Sequence, residues 1–119
     1  MKYNKIIVCT DYSEQSLNAL KYGHALASQT GAALAVSHVC DSFDNNAVVF
    51  NLNEKVADGK TYKELVVENL NQQMDLFIKK AGIDPKSITT HITFGDVKKE
   101  LQKIFTENNY DLSIFAQHG

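Results

Sequence analysis

One stretch near the start constrains the fold more than any other: Lys5-Ile6-Ile7-Val8-Cys9-Thr10-Asp11-Tyr12-Ser13. Ile6 to Thr10 is apolar or β-branched without alternation, the pattern of a strand covered on both faces in a parallel sheet. The run stops at an acidic turn, and helical periodicity begins at once. Ser13 can cap that helix by accepting from a first-turn N–H, and Glu14 complements the positive end of the helix dipole. Asp11 is left at the carboxyl end of the strand, where open α/β sheets bind their ligands.

The same alternation continues along the chain. Leu17, Leu20, His24 and Ala27 recur at helical spacing and Gly31 supplies a left-handed stop, so a first helix runs from Ser13 or Glu14 to about Thr30. Ala32 to Val39 reads as a second buried strand. Asp41 to Gly59 is polar, Asn-rich and long for a connection, and such segments are usually functional or mobile. From Lys60 a second helix is expected, with Leu65 or Val66, Leu70, Met74, Phe77, Ile78 and Ala81 as its apolar stripe and Gly82 and Pro85 as its stop. Ile88 to Phe94 alternates and is more polar, which suits a third strand near an edge. Asp96 then caps a third helix marked by Val97, Leu101, Ile104 and Phe105, ended by Asn108 and Asn109. Leu112 to Ala116 follows as the fourth strand. The order β-α-β-α-β-α-β predicts a single α/β domain over residues 1–119, a parallel sheet with helices on both faces.

Composition narrows the function. Twelve basic against 14 acidic residues give a net charge of −2, which argues against a broad nucleic-acid or membrane-surface footprint. No apolar run reaches the roughly 18 residues of a membrane span. The N-terminus leads into only about five apolar residues, short of a signal-peptide core of roughly 7–15. The expected location is the cytoplasm. Two cysteines, Cys9 and Cys40, are too few for a disulfide scaffold and show no C-x-x-C pairing.

The quoted residues resemble a known family. Ile6 to Glu14, the helix Ser16-Leu17-Asn18-Ala19-Leu20-Lys21-Tyr22, the turn Thr30-Gly31-Ala32 and the strand end Ser37-His38-Val39 resemble the first half of a universal stress protein domain. Phe94-Gly95-Asp96-Val97, Tyr110-Asp111-Leu112 and Ala116-Gln117-His118-Gly119 resemble its second half, in the same order. The resemblance implies a universal-stress-protein-like, Rossmann-like sheet of strand order 3-2-1-4-5, and usually a dimer. In the nucleotide-binding branch, adenine and ribose lie against the turn after strand one and the end of strand two, positions held here by Thr10, Asp11 and Val39. The phosphates lie on Gly-x-x-Gly, nine residues, then Gly-Ser or Gly-Thr. This chain departs there: Ala116 replaces the first glycine, Gly119 is the second, and the rest is absent, as are the following helix and fifth strand. The expected order is therefore 3-2-1-4, in a domain incomplete at its C-terminus. Cys9 stands where the family often has proline.

With that order the crevice lies between strands one and four, with Asp11 on one lip and Gln117, His118 and Gly119 on the other. Asp11 can accept from a ribose hydroxyl, and glycine lets a phosphate approach backbone N–H groups. Asp11 can equally be a turn and capping residue. A single glycine cannot form the cradle, so ATP or AMP is expected to bind weakly, and no cofactor is required. Cys9, Cys40 and His118 end neighbouring strands and carry zinc-type ligands, which raises a metal or thiol sensor as a third reading, although free cysteine is more often a small buried apolar residue. His24, His38 and His91 read as structural. No nucleophile–base set, G-x-S-x-G, H-E-x-x-H or P-loop is present, so a non-catalytic stress-response module is expected. Its alternative is a nucleotide-independent interaction module. The apolar fourth strand is an edge that invites a homodimer or another strand-edge partner.

Overall fold

The computed structural model describes residues 3–40, 55–57 and 59–116. Four parallel strands form the main sheet: β1 (Lys5–Cys9), β2 (Ala33–Cys40), β5 (Thr89–Phe94) and β6 (Leu112–Phe115), in the order β5-β2-β1-β6. This is the expected 3-2-1-4 arrangement. The central strand β1 registers Val8 against Val36 of β2 and Ile114 of β6.

Helices α1 (Glu14–Thr30) and α2 (Tyr62–Lys80) cover one face, and α3 (Val97–Glu107) lies on the other. Alternation along the strands divides the core accordingly. Ile6, Val8, Leu34 and Val36 pack with Leu17, Leu20, Met74, Phe77 and Ile78 under α1 and α2. Ile7 and Ala35 point the other way, to Ile104 and Tyr110. The uninterrupted apolar run of β1 thus serves two cores at once. Gly23 of α1 is what lets that helix sit close: a Cβ there would meet Val8 Cγ2 at 2.7 Å.

The caps follow the sequence. Ser13 accepts from Ser16 N at the start of α1, and Gly31 ends it at φ 75°. Asp96 accepts from Lys99 N at the start of α3. Three details differ from expectation. Helix α2 starts at Tyr62 rather than Lys60, because Lys60–Thr61 pairs with Lys55–Ala57 in a small antiparallel hairpin (β4 and β3) and Thr61 caps the helix. A 3-10 turn, Pro85–Ser87, capped by Asp84, precedes β5. His24, placed near the apolar face of α1 by spacing, is exposed. Of the long connection from Asp41, residues 41–54 and 58 lie outside the described residues.

Candidate functional site

Strand order reverses between β1 and β6, and the carboxyl ends of β1, β2 and β6 open there into a cavity of about 220 Å³. Thr10, Asp11 and Val39 all line it, beside Ser16, Ser37 and His38. Ala116 lines its β6 side, while Gln117, His118 and Gly119 lie outside the described residues. The first three predicted residues are thus brought together.

The turn between β1 and α1 is built by hydrogen bonds among its own side chains. Thr10 N donates to Ser37 O at 2.8 Å, tying the turn to β2. Thr10 Oγ1 accepts from Tyr12 N at 2.9 Å. Asp11 Oδ1 accepts from Ser13 N at 3.0 Å and from Ser16 Oγ at 2.6 Å. Ser16 N in turn donates to Ser13 Oγ at 3.1 Å. Asp11 is therefore an Asx-turn and capping residue, and its carboxylate is oriented by a serine only 2% exposed. The same held carboxylate stands on the cavity wall. Both readings of Asp11 draw on one geometry.

Tyr12 carries the most unusual backbone here, at φ 66°, left-handed for a residue with a bulky side chain. Packing holds it there. Its ring lies 4.5 Å from the His38 ring and meets Phe77 edge-on at 5.5 Å. Burial, with Cys40 nearby, pushes its hydroxyl up to about 12, so it stays neutral. His38 Nδ1 lies 2.9 Å from the Thr10 carbonyl. A carbonyl only accepts, so Nδ1 carries the proton in neutral His38 and Nε2 keeps a lone pair. His38 is structural, as expected, and it also forms part of the cavity wall.

Two site residues carried little signal in the sequence. Ser37 is fully buried, and its hydroxyl has no oxygen or nitrogen partner among the described residues. The Cys9 thiol beside it offers a weak contact that slightly opposes the effect of burial, which raises the thiol's pKa. Cys9 is thus a protonated, unreactive thiol near neutral pH. Ser16 was the other. A polar residue inside a buried strand and a serine three places after a cap were the available clues.

The thiol and metal reading meets a geometric obstacle. Cys9 registers with Ser37 and shares its face, whereas Cys40, one residue after Val39, turns to the face of His38 and Tyr12. The two thiols diverge. Among the described residues no group of three or more His, Cys, Asp or Glu could hold a metal ion.

On the α3 side the cavity adjoins a larger groove of about 900 Å³, lined by Ile7, Cys9, Val97, Leu101, Phe105 and Phe115 among others. Helix α3 packs mainly on β2 and β5, so this side of β1 and β6 is open. Of the expected α3 stripe only Ile104 is buried, while Val97 is 41% exposed, as is 55% of Phe115.

The sequence model of the universal stress protein family matches residues 2–119. The chain belongs to this family. Universal stress protein G of Salmonella typhimurium (strain LT2) is 25% identical over 98% of this chain and 80% of its own length. Among solved structures, the universal stress protein UspA of Lactobacillus plantarum matches 97% of this chain and 77% of its own, with a TM-score of 0.69 and 19% identity. A universal stress protein solved in complex with cAMP matches 95% of this chain and 71% of its own, with a TM-score of 0.57 and 20% identity. At these identities the structures establish the shared fold. Among the described residues no helix is long and apolar enough to cross a membrane.

Proposed function

We propose that this universal stress protein is a non-catalytic, cytoplasmic stress-response module that binds an adenine nucleotide weakly at the carboxyl ends of β1 and β6. The observation that carries this reading is the convergence of Thr10, Asp11 and Val39 on one cavity at the strand-order reversal. The cAMP complex of a protein with this fold supports an adenine-containing ligand. Asp11 accepts from the ribose and Val39 packs against the base. A phosphate chain gains little there, because Ala116 stands where the family's phosphate motif has its first glycine. AMP and ATP are therefore held with similar, weak affinity, and no cofactor is needed for folding.

The test is direct. AMP should raise the melting temperature, and isothermal titration should give one weak site per chain. No heat of binding and no thermal shift with either nucleotide would remove the nucleotide reading, and steady release of ADP from ATP would remove the non-catalytic one. A second reading, interaction through the open edge of β6, is favoured by the uncharged sequence Leu112-Ser113-Ile114-Phe115 on a terminal strand.

A further inference from the structure

We propose that Tyr12 is the positioning residue of the nucleotide site: its ring, packed against His38 and Phe77, holds the left-handed backbone that keeps the Asp11 carboxylate at the cavity. This rests on the nucleotide reading and adds to it a residue that acts without touching the ligand.

Among the described residues, Tyr12 at φ 66° and Asn109 at φ 58° are the non-glycine residues with positive φ. Asparagine visits that region routinely, and Asn109 follows the end of α3. Tyrosine does not, and a glycine at position 12 would make the same turn without strain. Bulky residues kept in such conformations cluster at ligand sites, where the surrounding structure over-determines them.

The conformation fixes the turn around Asp11. Thr10 is anchored to β2 at both ends of its backbone: its N–H donates to Ser37 O at 2.8 Å, and its carbonyl accepts from His38 Nδ1 at 2.9 Å. The chain must then enter α1, whose cap is Ser13. Asp11 and Tyr12 absorb that reversal between them. With Tyr12 left-handed, Tyr12 N donates to Thr10 Oγ1 at 2.9 Å and Ser13 N donates to Asp11 Oδ1 at 3.0 Å. A right-handed Tyr12 would swing the Ser13 N–H away from Asp11 and leave Ser16 Oγ to hold that oxygen.

The ring itself is elsewhere. Thr10, Asp11 and His38 line the cavity, and Tyr12 does not. Its ring lies 4.5 Å from the His38 ring and meets Phe77 of α2 edge-on at 5.5 Å. Its hydroxyl donates to Leu70 O of α2 across a long 3.4 Å. The ring therefore ties the turn to β2 and to α2 rather than contacting a ligand. A change on α2 can reach the cavity by this route, through the backbone of Tyr12 and the carboxylate of Asp11.

The experiment measures AMP affinity of the full chain by titration, well below each variant's melting temperature, and amide exchange at Ser13 in the free protein. Tyr12→Phe should bind within about threefold of the parent, because so long a hydrogen bond is weak. Tyr12→Ala should weaken AMP about tenfold, since alanine leaves the left-handed region and only the remaining fraction is competent to bind. Tyr12→Gly should fall between them, because glycine adopts positive φ without steric cost. Phe77→Leu, on α2 and off the cavity wall, should weaken AMP about threefold by loosening the ring. Exchange at Ser13 should quicken in the same order as affinity falls. Ile83→Ala, buried past the far end of α2, lowers stability and should change neither readout. Parent-like affinity in Tyr12→Ala overturns the positioning role and leaves the nucleotide reading standing. Equal affinities for Tyr12→Gly and Tyr12→Ala overturn it too, since the backbone would then be irrelevant. If Tyr12→Ala does not fold, parent-like AMP affinity and Ser13 exchange in Phe77→Leu overturn it in the same way. A parent chain that does not bind AMP removes the nucleotide reading and this role together.

Discussion

The two faces of the sheet are built differently. Under α1 and α2 the sheet is closed: Ile6, Val8, Leu20, Val36 and Ile78 are inaccessible to water, and Gly23 brings α1 down to the strands. On the α3 side one helix covers half of the sheet, and the rest is an apolar groove ending at the cavity of Thr10, Asp11 and Val39. The difference separates two duties carried by the same strands. The closed face supplies most of the burial that holds the fold. The open face carries the surfaces that can meet something else.

Substitutions should report that division by size. Leu20→Ala, in the closed core, should cost about 2–5 kcal/mol in chemical denaturation, because the site cannot collapse around the cavity. Gly23→Ala should cost about 1–3 kcal/mol, since its Cβ must push Val8 aside. Ser16→Ala should cost about 1–3 kcal/mol by stripping a short hydrogen bond from Asp11. Leu101→Ala, on the open face, should cost less than about 1 kcal/mol, because its side chain lines a groove already open to water. Equal costs for Leu20→Ala and Leu101→Ala would show that the groove is filled in solution.

The smallest effect concerns pH. His91, on the α3 side, is hydrogen-bonded to the Tyr110 hydroxyl at 2.8 Å, and burial, helped by Lys5, lowers its pKa below 6.5. The unfolded chain therefore takes up this proton first as pH falls. The stabilisation is complete above about 6.5 and is lost as pH drops through the depressed folded value. Melting temperature measured against pH should fall less steeply below that point in His91→Gln than in the parent. A parallel pair of curves would contradict it.

How much of this was readable from residues differs between the faces as well. The strand order came from the family resemblance, whereas the parallel α/β alternation, the polar third strand at an edge and the caps at Ser13 and Asp96 followed from apolar runs, helical spacing and cap residues. These are local signals, and the closed face obeys them. The α3 stripe misled, because Val97, Leu101 and Phe105 have the spacing of a buried helix face while the sheet under part of it is uncovered. The β3–β4 hairpin was missed since Lys60 and Thr61 carry no strand signal, and Thr61 simply caps the next helix. In the site, Asp11 was placed by its strand end and Val39 by the family resemblance. The support under them was not readable, because Ser16, Ser37 and the ring of Tyr12 act through contacts between elements distant in sequence.

The central claim is that the open lip of β1 and β2 holds an adenosine moiety with little help from its phosphates. Residue-resolved NMR during titration with AMP and then ATP tests it most directly. The account predicts shifts at Thr10, Asp11, His38 and Val39 with both nucleotides, at affinities within about tenfold (about 1.4 kcal/mol) of each other, and none at Met74 or Ile78 under the closed face. Unmoved resonances at Thr10 to Val39, or ATP binding far more tightly than AMP, would contradict it.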